Sequence, residues 1–416
     1  MRKGNQRATS LIMPSRRTLT KGIGAAAVGF AMPMLGRANT GGSKIPLGMV
    51  LPFSGATGAY GPDMKTAAEM VINNINGAGG VLGRELELFI EDSETNPTTG
   101  VAATKKLIEV NDVRAIAGFW GSPIALAAQP IILDAGRVQM VSAAANSITE
   151  GDKRGLVWRY QAKSTQWGPA GAKIMKGLGA KRVSLLALQN PFVMAMIEPF
   201  KEQIKADGGE IDQVVLYNPD QPSYRAEVEK AFGSEPDAVF CLSLLTDFTS
   251  IAKEVYRNGF ESKIVALSIG ADAEGKFLAN VDAKVAEGIH HLQPAPPLDS
   301  PSYAKFVKKM GGKPGSVFLF AGNAHDQLCS IALAMEKAGS DDAAVWSKAI
   351  PEIANPPGEQ VDDITTALQM VRAGKSIDFI GAGASCDFNE HGDQINRSFL
   401  HQVIEGGKNR IVGTLT

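Results

Sequence analysis

Ser122 lies between a predicted strand and a predicted helix, in a sequence suited to binding a small anion. The local sequence is Gly121-Ser122-Pro123. Serine is a favoured N-cap and proline fits the first helical position, so the amides that follow lack acceptors within the helix. The positive end of the helix dipole then favours a small anion. The structural alternative for these residues is an ordinary capped helix.

Motifs of enzymes and metal sites are weak in this chain. No Gly-x-Ser-x-Gly sequence is present, and no Gly-x-x-x-x-Gly-Lys sequence is followed by the Ser or Thr of a phosphate-binding loop. His325-Asp326 could pair a base with an orienting acid, but no nucleophile is placed beside it, so capping or packing is favoured. The sequence Asn389–Asp393 lacks the spacing of a calcium loop and predicts a hairpin turn. His290-His291 would point to opposite faces of a strand. An enzyme is thus the weaker hypothesis, and no cofactor or metal is expected.

The first 38 residues predict an export signal. Arg16-Arg17 precedes an uncharged run, Gly22 to Leu35, and this order resembles a twin-arginine signal cleaved near Ala38. Fourteen helical residues span roughly 21 Å, less than the hydrocarbon core of about 30 Å, so a membrane anchor is not expected. No cysteine precedes Cys241, which argues against a lipid anchor. The expected location is the periplasm.

Charge and composition point to small-molecule partners. Residues 1–38 hold seven of the 42 Lys and Arg and none of the 43 Asp and Glu, which leaves 35 basic and 43 acidic side chains and a net charge of −8. Such a chain is poorly suited to nucleic acids or anionic membranes.

Cys241, Cys329 and Cys386 are expected as buried free thiols, although one disulfide between the last two is the alternative.

The elements that position Ser122 follow an alternating pattern. Short apolar runs such as Ile45 to Leu51 alternate with amphipathic stretches such as Pro62 to Ile75, which predicts parallel sheets with helices on both faces. A second set of the same kind begins after Arg159-Tyr160-Gln161. Four predicted helices between Tyr303 and Arg372 lack strands of their own, so they must pack onto the earlier units. The chain then crosses between two α/β domains more than once, with ligand held at the strand carboxyl ends.

Five motifs in order along the chain carry a family resemblance. They are Leu51–Gly55 with Ala59–Pro62, Ile75–Val81, Gly83–Leu86, Glu91–Ser93, and Ser142–Asn146. Together they resemble periplasmic leucine/isoleucine/valine-binding proteins from about Ile45 to the C-terminus.

The resemblance implies a type I periplasmic binding protein that delivers a solute to the permease of an ABC transporter. Its implied fold is two Rossmann-like lobes, each a parallel sheet flanked by helices, joined by a multi-crossover hinge. The implied N-terminal lobe is 43–162 plus 293–375, and the C-terminal lobe is 163–292 plus 376–416. The protein is expected to be a monomer without a membrane anchor. A periplasmic receptor subunit that senses its ligand without transport is the alternative.

The resemblance also implies residues for a carboxylate-bearing ligand. The position of Ser122 holds the ligand carboxylate, helped by groups at the positions of Ala143 and Ala145. Tyr60 matches an aromatic ring against the ligand side chain, with packing in its loop as the alternative. Trp120 either walls the same pocket or packs in the core.

Departures from the family pattern predict a less polar pocket. Ala145 replaces a usual threonine, while Phe192 and Leu244 replace usual tyrosines. Ser268 aligns with the acid that usually meets the ligand ammonium, and the nearest acid is Asp272. If Asp272 does not reach the ligand, an unpaired buried ammonium would cost several kcal/mol. The ligand is therefore expected to be an amino acid or an amine-free aromatic or aliphatic acid.

Overall fold

The computed structural model describes residues 42–272, 275–395 and 397–415. The predicted signal peptide, residues 1–38, lies outside the described residues, so the twin-arginine assignment stays a prediction. Among the helices that are described, none is long and apolar enough to cross a membrane.

The described strands form two large sheets and one small one. The first sheet has the order β2-β1-β3-β4-β5 and is entirely parallel. The second has the order β14-β13-β10-β9-β8-β6-β7, and β11 pairs with β12. The strands are β1 Ile45–Leu51, β2 Leu86–Asp92, β3 Ala115–Gly118, β4 Val138–Val141, β5 Val157–Arg159, β6 Arg182–Leu188, β7 Glu210–Tyr217, β8 Ala238–Leu242, β9 Lys263–Leu267, β10 His290–Ala295, β11 Glu359–Val361, β12 Ile377–Phe379, β13 Ser398–Glu405 and β14 Lys408–Leu415.

Helices connect most of the parallel strands, as the alternating pattern predicts. One 3₁₀ turn, Ser347–Ala349, lies among them. The α-helices are α1 Gly61–Gly77, α2 Pro97–Glu109, α3 Ser122–Asp134, α4 Ser147–Glu150, α5 Ser164–Gly177, α6 Pro191–Ala206, α7 Arg225–Phe232, α8 Leu245–Asn258, α9 Ser268–Ala271, α10 Lys276–Asn280, α11 Ala283–Ala286, α12 Pro301–Lys309, α13 Ala321–Ala338, α14 Ala343–Trp346, α15 Ile350–Ala354 and α16 Ile364–Arg372.

The strand order reverses once in each large sheet, and such points are where open α/β sheets bind ligands. In the first sheet β1 lies between β2 and β3, and in the second β6 lies between β7 and β8. The loops that follow β1, β3, β6 and β8 therefore begin at the two switch points. The sequence Gly121-Ser122-Pro123 begins three residues after the end of β3.

The predicted α/β fold with helix-flanked parallel sheets is confirmed, with one difference in the second sheet. Its strands β13 and β14 form an antiparallel hairpin, and β13 also pairs antiparallel with β10. No strands are predicted from the sequence of this C-terminal segment. β14 alternates exposed and half-buried residues without a clear apolar face, whereas β13 is mostly buried. The predicted lobe boundaries stay a prediction; the one at 292/293 falls within β10.

Helix α13 forms the centre of the helical layer. It is buried from Ala321 to Met335 and packs against α1, α15 and α16. The sequence predicts that the late helices pack onto the earlier units, and this is confirmed. All three cysteines are buried free thiols, as expected.

Candidate ligand-binding site

A cavity of about 340 Å³ is lined by residues that follow strands of both large sheets. This volume is at the small end of the range of about 300–1,000 Å³ that is usual for ligand pockets. Its lining residues are Thr95, Pro97, Trp120, Gly121, Ser122, Pro123, Ile124, Ser142, Ala143, Ala144, Gln161, Trp167, Asn190, Phe192, Pro219, Asp220, Leu244, Ile269 and Phe320.

Most of these residues lie just beyond the carboxyl end of a parallel strand. Trp120 to Ile124 follow β3, and Ser142 to Ala144 follow β4. From the second sheet, Asn190 follows β6 and Leu244 follows β8. The cavity is therefore located at both topological switch points, where the fold class predicts a ligand.

Ser122 is the first residue of α3, and the prediction that it is the N-cap was wrong. Gly121 occupies the cap position with a φ of 96°, a conformation that favours glycine. The Ser122 hydroxyl does not cap the helix; its Oγ accepts a hydrogen bond from the backbone N–H of Ala145 over 3.0 Å. The serine still lies at the positive end of α3, where the first amides lack acceptors within the helix.

A buried arginine fixes the loop that carries Ala143 and Ala145. Arg159 is fully buried and donates hydrogen bonds of 2.9 Å to the carbonyl oxygens of both alanines. Burial lowers the pKa of Arg159, and the charge of Asp393, bonded to Arg159 Nε over 2.7 Å, opposes that shift. Arg159 therefore fixes the orientation of the Ala143 and Ala145 carbonyl groups, which point towards its guanidinium group.

A buried glutamine of α13 holds the ends of two strands at the cavity. The side chain of Gln327 accepts a hydrogen bond from the backbone N–H of Gly118 over 2.8 Å. It also donates one to Ser142 Oγ over 3.1 Å. Since Gly118 ends β3 and Ser142 follows β4, one side chain fixes both strand ends against α13.

Aromatic rings form two walls of the cavity. The Trp120 ring packs edge-to-face on Phe320 with a centroid distance of 5.6 Å. The Trp167 ring packs edge-to-face on Phe192 at 5.1 Å. Tyr60 lies behind the first wall, stacked on Trp120 at 5.4 Å, and it is not itself among the lining residues. Such surfaces suit a flat apolar ligand body.

The electrostatic character of the cavity comes from helix ends. The first turns or cap residues of α2, α3, α6 and α8 contribute to its lining, through Pro97, Ser122, Phe192 and Leu244 respectively. Each helix start carries partial positive charge. Among the described lining residues none is Lys, Arg or His, and Asp220 is the one ionisable side chain. Asp220 is exposed, so it does not place a buried charge in the cavity.

The structure brings five of the nine predicted site residues to the cavity. These five are Trp120, Ser122, Ala143, Phe192 and Leu244. Tyr60, Ala145, Ser268 and Asp272 are not among its lining residues. Ala145 and Tyr60 contact the lining residues Ser122 and Trp120, respectively, so both lie directly behind the cavity wall.

The two residues weighed as ammonium partners have other contacts. Ser268 is buried, and its Oγ is 2.7 Å from Nδ1 of His291. The Asp272 carboxylate accepts a hydrogen bond from the backbone N–H of Gly275 over 3.0 Å. Neither residue lines the cavity, so neither places a negative charge beside a ligand there.

Several lining residues were not found from the sequence. Gln161 lies in the segment that links β5 to α5, and Trp167 lies in the first turn of α5. Phe320 precedes α13, far along the chain. Asn190 could have been identified as a helix cap from the sequence, because Asn190-Pro191 has the residue types that are typical of a helix start. Its Oδ1 accepts a hydrogen bond from the backbone N–H of Val193 over 2.8 Å.

The pair His325-Asp326 has a structural role, as favoured from the sequence. The two Asp326 carboxylate oxygens accept hydrogen bonds from the backbone N–H groups of Ala382 and Gly383 over 2.6 and 2.7 Å. His325 Nδ1 is 2.8 Å from Asp326 Oδ1. Within the part of the chain that the structure describes, no group of three or more His, Cys, Asp or Glu could hold a metal ion.

Comparisons with known proteins agree with this arrangement. A Leu/Ile/Val-binding protein homolog from Brucella suis is 22% identical over 343 residues, covering 81% of this chain and 88% of the relative. The leucine-binding protein LivK from Thermotoga maritima has a similar structure, with a TM-score of 0.73, 20% identity, and coverage of 89% of this chain and 99% of LivK.

A second solved structure has a slightly lower TM-score. It is a solute-binding protein of an ABC transporter from R. palustris in complex with 4-hydroxybenzoate, with a TM-score of 0.69 and 21% identity. The alignment covers 90% of this chain and 97% of that one. The model of the family described as periplasmic binding protein matches residues 44–372. The chain therefore belongs to the periplasmic binding protein family.

Proposed function

We propose that this protein is the solute-binding component of an ABC importer and acts in the periplasm as a receptor, not as an enzyme. The observation that carries the proposal is the cavity itself. Aromatic walls around Trp120 and Trp167 enclose a space at the carboxyl ends of both sheets, where helix starts offer amides to an anion. The ligand is a small molecule with a carboxylate at Ser122.

The proposed ligand is a carboxylic acid without an amine. No buried acid lines the described cavity, since Ser268 and Asp272 are absent from its lining and Asp220 is exposed. A ligand ammonium enclosed there would be unpaired, at a cost of several kcal/mol. The aromatic rings instead favour a flat apolar body, and the R. palustris relative crystallised with 4-hydroxybenzoate supports an aromatic acid.

Asp220 favours one second candidate, an amino-acid ligand. Its carboxylate is the single acid in the described lining. If the domains move so that Asp220 is enclosed, it could pair with an ammonium group. The relatives that are named as Leu/Ile/Val-binding proteins support this alternative. An amino acid and its deaminated analogue therefore distinguish the two candidates.

The proposed mechanism is closure of two lobes around the ligand. The N-terminal lobe, 43–162 plus 293–375, would first bind the carboxylate at Ser122. The C-terminal lobe, 163–292 plus 376–416, would then bring Phe192 and Leu244 over the ring. Closure removes water and strengthens each polar contact. The closed monomer is the form that an importer permease would recognise.

A fluorescence titration tests the proposed function. Trp120 and Trp167 line the cavity, and they are two of the four tryptophans in the chain. Residues 39–416 are titrated with benzoate, with cyclohexanecarboxylate and with the matching neutral amides. We expect a saturable change for at least one acid and a much weaker one for its amide. Equal responses to acid and amide, or none with any carboxylate, would contradict the proposal.

A further inference from the structure

Two buried polar atoms of cavity-lining side chains have no hydrogen-bond partner among the described residues. They are Oε1 of Gln161 and Nε1 of Trp120. Both side chains are at least nine-tenths buried, with 5% of Gln161 and 8% of Trp120 exposed. A buried polar atom without a partner destabilises the protein, so such atoms call for a specific explanation.

The other buried or half-buried polar side chains of the lining do have partners. Ser122 Oγ and Ser142 Oγ each accept a hydrogen bond. Asn190 Oδ1 accepts one from the start of α6, and Thr95 Oγ1 donates one to the carbonyl oxygen of Ser54. Among the side-chain atoms of the lining residues that are themselves fully buried, one acceptor and one donor therefore lack a partner.

The chemistry of these two atoms defines what a ligand must offer. Oε1 of Gln161 can only accept a hydrogen bond, and Nε1–H of Trp120 can only donate one. An ionised carboxylate has acceptors alone, so it can satisfy Nε1 of Trp120 but not Oε1 of Gln161. A second ligand group must supply the donor for Gln161.

A hydroxyl fits this requirement better than an ammonium group. A hydroxyl both donates and accepts, so it is compatible with Gln161 and with Trp120. An ammonium could also donate to Gln161 Oε1, but the neutral Gln161 does not balance its charge.

We propose that the ligand is a hydroxylated carboxylic acid whose hydroxyl donates a hydrogen bond to Gln161. This inference rests on the proposed function and names the class of solute more narrowly. Gln161 is then a specificity residue. A site built around a ligand hydroxyl rejects analogues that lack it, because its own polar group is left unpaired in the complex.

Calorimetry on matched acid pairs tests the inference. Each pair replaces a hydroxyl by a methyl of similar size: the three hydroxybenzoates against the three methylbenzoates, and 2-hydroxypropanoate against 2-methylpropanoate. We expect at least one hydroxy acid to bind at least tenfold more tightly than its methyl partner. In Gln161→Met this ratio falls towards one, while the methyl acid keeps its affinity.

Two further variants make the result specific. Gln189→Met makes the same substitution at an exposed residue outside the lining and should keep the wild-type ratio. Trp120→Phe keeps a ring but removes the indole N–H, so it should weaken the preferred hydroxy acid; it also provides a second test if Gln161→Met does not fold.

The outcomes separate this inference from the proposed function. Ratios near one for every pair that binds would overturn the hydroxyl assignment and leave a carboxylate receptor. A large ratio that survives in both Gln161→Met and Trp120→Phe would also overturn it. Failure of every acid to bind would contradict the proposed function itself.

Discussion

The backbone N–H of Ala145 donates a hydrogen bond to Ser122 Oγ over 3.0 Å, and this contact joins the loop after β4 to the start of α3. The hydroxyl of Ser122 is used as an acceptor, and no described residue accepts its hydrogen. The residue is thus oriented by the protein while its donor stays available. A carboxylate at the start of α3 could accept that hydrogen together with the first amides of the helix.

Substitution Ser122→Ala should weaken ligand binding. It removes a hydrogen bond to a charged group worth about 1.5–3 kcal/mol, which is roughly a 10- to 150-fold loss of affinity. It also leaves the Ala145 N–H without its partner, so a modest fall in the free energy of unfolding is expected. Calorimetry with the best-binding acid measures the first effect, and urea denaturation measures the second.

Ser147→Ala is the matched control for Ser122→Ala. Ser147 is exposed at the start of α4 and does not line the cavity. Its substitution should leave affinity unchanged. Unchanged affinity in Ser122→Ala as well would remove Ser122 from the binding site.

Substitution Asp220→Asn should maintain or slightly improve binding of an amine-free acid. The Asp220 carboxylate lines the cavity and repels an anion, although water and salt screen this exposed charge. Asp272→Asn, outside the lining, should have no effect. A marked loss of affinity in Asp220→Asn would instead indicate an ammonium-bearing ligand, with Asp220 as its partner.

Much of this site could be predicted from the sequence, because strand ends are visible as apolar runs. The strand β3 and the sequence Gly121-Ser122-Pro123 follow that pattern, and so does the placement of Ser142 to Ala144. Gln161 and Phe320 could not be found in this way. They lie outside regular elements, and their positions depend on how distant segments pack. The N-cap assignment of Ser122 was wrong because serine is favoured over glycine as a cap residue, whereas Gly121 with its positive φ occupies the cap position.

A close approach between α5 and α6 predicts a stability effect at Gly168. A Cβ added at Gly168 would lie 2.4 Å from the carbonyl oxygen of Met196 on α6. Gly168→Ala should therefore lower the free energy of unfolding by about 1–3 kcal/mol, as is typical of overpacking. It should also weaken ligand binding, because the adjacent Trp167 packs on Phe192. Chemical denaturation and calorimetry measure the two effects.

Gly177→Ala is the control for Gly168→Ala on the same helix. A Cβ there would meet nothing within 4 Å, and alanine favours helix more than glycine does. This variant should be neutral or slightly more stable. Equal stabilities of the two variants would show that the contact between α5 and α6 tolerates a methyl group.

His290 on β10 and His401 on β13 lie side by side, and this pair predicts a pH effect on stability. Burial, with the nearby charges of His290, His291 and Arg410, lowers the pKa of His401 from 6.5 to about 4. Between these values the unfolded chain binds a proton that the folded protein does not, so stability falls as pH decreases from 6.5 to 4. Below pH 4 this residue causes no further loss. Urea denaturation across this range should show a smaller loss in His401→Gln than in wild type.

The control for this effect is His391→Gln, since His391 is exposed on a turn. It should retain the wild-type pH dependence. If His401→Gln also retained it, a neutral buried His401 would not be the cause of the acid sensitivity.

Calorimetric titration with leucine and with 4-methylpentanoate, alongside phenylalanine and 3-phenylpropanoate, is the most direct test of the central claim. Within each pair the ligands differ in the amino group, while the carboxylate and the apolar body are the same. The cavity described here predicts that an amine-free acid binds more tightly than its amino-acid partner. Tighter binding of leucine or phenylalanine than of its deaminated analogue would contradict the proposed amine-free ligand and favour Asp220 as an ammonium partner.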